Sequence, residues 1–140
     1  IYSRLQDFGG ASLTRSLATF YNLPPEEAEN VKLKGSLSSY SDIDVVNSYI
    51  NQLTQHIKRN IQLFCSSSGN RTVDMLVLSG GGSLIPGLRQ QLALQLEIDV
   101  KHPDPVLLYN QHKLADNFGH GAKYMTALGL ALRSFTPCQI

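Results

Sequence analysis

The chain has 140 residues, 42% of them hydrophobic, which suits one soluble domain with a buried core. Its formal net charge is +1 and its basic residues form only small pairs, Lys32/Lys34 and Lys58/Arg59, so it lacks the basic stripe of a nucleic-acid binder. No apolar run approaches the ~20 residues of a membrane helix, and Arg4 interrupts the first apolar positions, so no secretory signal is expected there.

Residues 1–6 alternate as a strand would, with Ile1, Ser3 and Leu5 on one face and Tyr2, Arg4 and Gln6 on the other, and Gly9-Gly10 breaks it. Leu13, Leu17, Phe20 and Tyr21 recur at helical spacing and predict a helix over 11–21. Pro24-Pro25 closes that helix and opens a second. Glu26 and Glu27 fall in its first turn and Lys32 and Lys34 in its last, an order that complements the helix dipole, with Gly35 as a natural stop. Residues 36–41 read as a serine-rich linker, where Ser41 and Asp44 make a weak capping box. Val46, Ile50, Leu53, Ile57, Ile61 and Phe64 then line one face of a long helix that runs out at Ser66-Ser67-Ser68-Gly69.

Residues 73–78 are nearly continuous in apolar character, as in a strand buried on both faces. They run into Ser79 and the three glycines Gly80, Gly81 and Gly82. Ser83 follows, and Pro86 stands where a first helical turn tolerates it, in a helix predicted over 84–96 whose amphipathic part is 88–96. Strand, glycine turn and helix start together can bring bare backbone up to an anionic ligand. Residues 98–101 predict a short strand ending in a turn at 102–105, and 106–121 follow no regular pattern. Residues 122–134, rich in Ala, Leu and Gly, predict a buried helix. Strands alternating with helices give the class α/β, a sheet with flanking helices. The purely helical stretch 24–68 reads as a subdomain inserted between sheet elements at 1–23 and 69–140, all within one lobe over 1–140.

Familiar catalytic patterns are missing. No Gly-Lys-Ser/Thr follows the glycines, and Ile85 occupies the third position of a would-be GxGxxG. There is no GxSxG elbow, no triad and no pair of carboxylates at useful spacing, so no catalytic residue is assigned. His56, His102, His112 and His120 lack metal-ligand spacing, no metal site is expected, and His56 reads as a surface residue. Cys65 and Cys138 lie far apart without CxxC spacing. A disulfide stays open, and reduced, passive thiols in a cytosolic protein are the expected state. A bare triple glycine serves as a plain turn as readily as a ligand loop. The first residue is not Met, and the chain reads as a fragment or as a domain whose upstream part is missing.

The order of features narrows the reading. Gly9, Gly10, Leu13 and Thr14 give GGxxLT, and Ala28, Glu29 and Lys32 give AExxK. Leu78 to Leu88 read LSGGGxxxPGL, and Ala127 to Arg133 read ALGLALR. In this order the set resembles the second half of an actin-like (ribonuclease H-like) ATPase domain over essentially the whole chain. With its ending at Ser134 and Phe135 it is more narrowly similar to the PilM family, cytoplasmic actin-like proteins of type IV pilus assembly.

That resemblance implies ATP, with Mg²⁺ in the full-length protein, lying between two halves. Glu29 would accept hydrogen bonds from the ribose hydroxyls, as an acceptor-only carboxylate suits a diol. Lys32 would lie beside the base or ribose. Gly80, Gly81 and Gly82 would form the adenosine loop, with a hydroxyl added by Ser83. Gly10, with Gly9, would end a strand near the phosphates, which a plain turn explains nearly as well. Leu13 and Thr14 would pack and start a helix. The phosphate hairpins and metal-holding acidic residues of such proteins belong to upstream sequence, so neither catalysis nor tight nucleotide affinity is expected of this chain alone. The implied partners are PilN-like inner-membrane assembly proteins, with no nucleic acid and no direct membrane insertion, and self-association is compatible with the fold. The PilN groove of the family lies mainly on the first half, so this segment is not expected to retain it. The implied location is cytoplasmic, peripheral to the inner membrane through partners. The implied role is an ATP-binding scaffold that couples nucleotide state to those partners by lobe closure. Two rivals are a nucleotide-free structural adaptor of a pilus or type II secretion platform and a fragment of an actin-fold ATPase or sugar kinase.

Overall fold

Two leucines one turn apart, Leu13 and Leu17, are completely buried and set how the first helix sits. A computed structural model of the chain describes residues 2–34, 40–69, 72–103 and 121–133. The first helix, α1 (Gly10–Tyr21), ends at Asn22, which adopts the left-handed conformation at φ 51°. Asparagine tolerates that conformation better than most residues, so the turn is made two residues before Pro24. Helix α2 (Pro25–Lys34) starts with proline at its first position, where no intrahelical N–H is needed. Ala28 is 0% exposed on α2, and its single methyl lets α1 and α2 approach closely.

Helix α3 (Tyr40–Ser68) buries Val46, Tyr49 and Ile50, with Leu53 and Ile57 packed on the same core. Thr54 is the polar exception. It is fully buried, and its hydroxyl donates to the Ile50 carbonyl at 2.8 Å, so burial leaves it satisfied.

Strand β1 (Met75–Val77), helix α4 (Leu88–Leu96) and strand β2 (Asp99–Lys101) form one βαβ unit. The strands are parallel, with Met75 opposite Asp99, Leu76 opposite Val100 and Val77 opposite Lys101. A parallel pair needs such a crossover, and α4 supplies it while burying Leu88 and Leu92. Two amide pairs join α4 to α3: Gln91 Nε2 donates to Asn47 Oδ1 at 2.6 Å, and Gln95 Nε2 to Asn51 Oδ1 at 2.8 Å. Both partners step by four residues, so the two helices run in matched register. The last helix among the described residues, α5 (Met125–Leu132), follows a 3₁₀ turn at Gly121–Tyr124. One cluster of buried side chains links α1, α2, α3, α4 and β2.

Six expectations change. Residues 2–6 are not a strand, and no described strand lies beside them to take their hydrogen bonds. They run along α3 instead, with Tyr2 5.8 Å from Phe64 between ring centroids and Gln6 Nε2 donating to Asn60 Oδ1 at 3.1 Å. Phe8 continues that line onto Tyr49 and His56, so His56 is half-buried under an aromatic ring and not free at the surface. The strand at 73–78 shortens to three residues and is not buried on both faces: Met75 is 46% and Val77 52% exposed, because the helices cover one face of a two-stranded sheet. Residues 84–96 divide into a 3₁₀ turn at Gly81–Leu84 and α4, separated by Gly87 at φ 78°. Finally α5 is apolar yet has no buried residue, and Leu130 is 62% exposed. Helix α3 begins at Tyr40, so Ser41 lies inside it. Gly35, residues 36–39, 106–120 and 134, and Cys138 lie outside the described residues.

Since Leu17 is 0% exposed at the centre of the cluster, Leu17→Ala is expected to destabilise the fold by about 2–5 kcal/mol, read as a lowered urea midpoint at unchanged slope.

Candidate functional site

The glycine turn is held from three directions. Gly80 sits at φ 84°, ψ 169°, a conformation open essentially to glycine alone. Its N–H donates to the Ala122 carbonyl at 2.8 Å, which ties the turn to the segment before α5. The Gly80 carbonyl accepts from both the Ser83 N–H at 3.2 Å and the Ser83 hydroxyl at 2.7 Å. Ser83 is buried, and its only proton is therefore used inside the turn. From beyond β2, His102 Nε2 lies 2.9 Å from the Ser83 carbonyl. A carbonyl only accepts, so that ring nitrogen carries the proton. Gly81 and Gly82 remain exposed, and a Cβ built on either meets no atom within 4 Å.

Opposite this turn is a polar cluster between α1 and α2. The Lys32 ammonium donates to Glu29 Oε2 at 2.6 Å, to Thr14 Oγ1 at 2.9 Å and to the Gly10 carbonyl at 3.3 Å. The Thr14 hydroxyl in turn donates to Glu29 Oε2. Glu29 and Lys32 are three residues apart and share a helix face, while Gly10 and Thr14 share the facing side of α1. The hydrogen bond from Lys32 is the first cause, and that from Thr14 the second, holding the Glu29 carboxyl below its usual range against a weaker opposing effect of burial. The Lys32 side chain is 14% exposed and that of Glu29 42%. Among the described residues no donor engages Glu29 Oε1, which leaves one carboxylate oxygen open as an acceptor beside the cavity Glu29 lines.

The two halves meet around a cavity of about 270 Å³. Gly10, Glu29 and Lys32 line it from α1 and α2, and Gly81 and Gly82 from the turn, with Leu84, Ile85 and Pro86 as an apolar wall. Five of the residues singled out in the sequence are thus brought together. Gly80 and Ser83 stand behind the turn and shape it. The volume is at the small end for ligand sites and suits a nucleoside-sized group. A larger, shallower groove of about 530 Å³ lies between α1 and α3 beside Phe20 and Val45, with its Arg15 and Asp44 solvent-exposed, and it includes none of the residues singled out in the sequence as site candidates.

Sequence reasoning missed two residues. Lys123, in the 3₁₀ turn before α5, also lines the cavity. His102, read only as part of a turn, braces the glycine loop. Neither belongs to a pattern that periodicity or spacing marks. The one local cue is that Lys123 follows Gly121-Ala122 directly ahead of an apolar helix.

Residues 1–135 match the family of type IV pilus assembly protein PilM. A chain of the solved PilM-PilN type IV pilus biogenesis complex is similar in structure at a TM-score of 0.76 and 25% sequence identity, over 98% of this chain and 40% of that one. The present chain therefore spans well under half of the length of that relative.

The cluster has a measurable signature. A carboxylate held low by partners adds stability above the ordinary glutamate range and loses it as pH falls through the depressed value. In an NMR titration the Glu29 carboxyl is expected to titrate below the same group in Lys32→Met. Its contribution to stability stays within about 0.5 kcal/mol, because solvent screens the 42%-exposed Glu29 side of the pair.

Proposed function

This chain belongs to the PilM family of type IV pilus assembly proteins, and we propose that it forms the adenosine-binding lobe of an actin-like, ATP-binding scaffold in pilus assembly. One observation carries the reading: two motifs far apart in sequence, the AExxK helix and the triple glycine, face each other across one cavity. The residues suit the nucleoside part of ATP. Glu29 Oε1 is an acceptor for a ribose diol, Leu84, Ile85 and Pro86 offer a flat apolar wall, and the bare faces of Gly81 and Gly82 leave room that a Cβ would take. Bound ATP would supply a triphosphate that bridges this lobe to a second. By the same resemblance, the Mg²⁺ of such a site would be held by acidic residues of the upstream half of the full-length protein.

The solved relative pairs PilM with PilN. By that relationship the full-length protein would engage a PilN-like inner-membrane protein from the cytoplasmic side, and nucleotide binding would close the lobes and alter the surface offered to it. Among the described residues no helix is long and apolar enough to cross a membrane, in keeping with attachment through a partner.

A second reading has its own support. Lys32, Thr14, Gly10 and Glu29 satisfy one another, so the cluster also works as a plain clamp between α1 and α2 in an adaptor that needs no nucleotide. Calorimetry of Mg-ATP binding to the full-length protein separates the two. Gly82 has open space at its Cβ position and no positive φ, so Gly82→Ala leaves the fold intact while intruding on a ligand. An ATP scaffold requires Gly82→Ala and Glu29→Ala each to weaken binding by about tenfold or more at little change in melting temperature. Absence of binding by the unmutated protein, or equal binding by all three, leaves the adaptor.

A further inference from the structure

The cavity carries two cations, and only one has hydrogens left to give. An ammonium has three N–H donors. Those of Lys32 meet three protein acceptors, the Gly10 carbonyl, Thr14 Oγ1 and Glu29 Oε2, and the side chain is 14% exposed. A ligand could recruit Lys32 only by displacing one of these partners. Lys32 therefore acts on the site through Glu29, by fixing which carboxylate oxygen is occupied and which stays open. It is a positioning residue.

Lys123 differs on each count. It lines the same cavity, its side chain is exposed, and among the described residues no acceptor or carboxylate engages it. It is also well placed. Ala122, the preceding residue, accepts the Gly80 N–H at 2.8 Å, so the backbone that carries Lys123 is joined to the start of the glycine turn. Of the charges on the cavity wall, Glu29 and Lys32 cancel as an ion pair, which leaves the charge of Lys123 uncompensated. A neutral nucleoside has no use for a bare cation. An anionic substituent on that nucleoside does, and a flexible four-carbon stem lets an ammonium follow it.

Resting on the nucleotide reading above, we propose that Lys123 binds a phosphate of the ligand, and that through it this lobe distinguishes a nucleoside phosphate from the free nucleoside. The recognised class is then a nucleoside phosphate. Glu29 and the glycine turn hold the nucleoside, and Lys123 reads the charge.

The test is calorimetry on the full-length protein with Mg²⁺, using ATP, ADP and adenosine against the unmutated protein, Lys123→Ala and Lys123→Arg. Lys123→Ala is expected to weaken ATP and ADP by about tenfold and to leave adenosine unchanged, with Lys123→Arg recovering most of the loss. Equal weakening of all three ligands would mean that Lys123 merely supports the turn, and would overturn the proposal. So would unchanged ATP and ADP binding in Lys123→Ala, in which case the nucleotide site stands and only the role of Lys123 falls. If the unmutated protein binds none of the three, the nucleotide reading fails and this inference fails with it.

Discussion

Lys32 brings one positive charge and three hydrogens to the junction of α1 and α2, and Gly10, Thr14 and Glu29 supply three acceptors for them. This contact sets one wall of the site. The ammonium is largely shielded from solvent, so it needs its partners to offset the loss of hydration. Two of those partners belong to α1 and one to α2. Holding them therefore fixes the two helices against each other above the contact of Ala28 with the buried face carrying Leu13 and Leu17. It also orients the Glu29 carboxylate, with one oxygen engaged by Lys32 and Thr14 and the other turned toward the cavity. A threonine at this point does double service, accepting from the lysine and donating to the glutamate, which a serine would do with less packing and an alanine not at all.

The opposite wall is built on a different principle. No charge holds the glycine turn. It is placed by backbone hydrogen bonds and by one imidazole from elements far along the chain, Ala122 and His102. Gly80 is required by its dihedral angles, whereas Gly81 and Gly82 are bare for want of any neighbour. Only the first of the three glycines is demanded by the fold itself. The other two leave empty space, and empty space beside an ion pair and an apolar wall is what a ligand site needs. The two walls thus combine a rigid polar patch with an open backbone surface.

Much of the helical architecture was legible in the chain. Positions 13 and 17, then 46, 50, 53 and 57, stand at helical spacing and prove to be core or core-packed positions. The Pro24-Pro25 start of α2 and the glycine turn after a strand also follow from local stereochemistry. What local pattern misjudged was burial. Residues 73–78 and 122–134 are apolar enough for a core, yet Met75, Val77 and Leu130 are exposed. Periodicity reports which positions are apolar. It does not report which neighbouring layer covers them, and that depends on the rest of the fold. Residues 2–6 failed for a related reason, since alternation favours an extended chain but a strand exists only beside another strand.

Within the site the division is sharper. The order of short motifs, through its resemblance to the PilM family, named Glu29, Lys32 and the glycines, and each motif is itself local, an i,i+3 pair on a helix and a glycine run after a strand. Gly80 and Asn22 are residue types that tolerate a positive φ, whereas Glu97, at φ 56°, carries one that its type does not favour. Only the tertiary structure decided that the two motifs share one cavity, that Lys32 is saturated while Lys123 meets no partner among the described residues, and that His102 braces the turn. Those are statements about distances between residues remote in sequence. They are set by how α1, α2 and the βαβ unit pack around a common core, and no property of any single segment contains them.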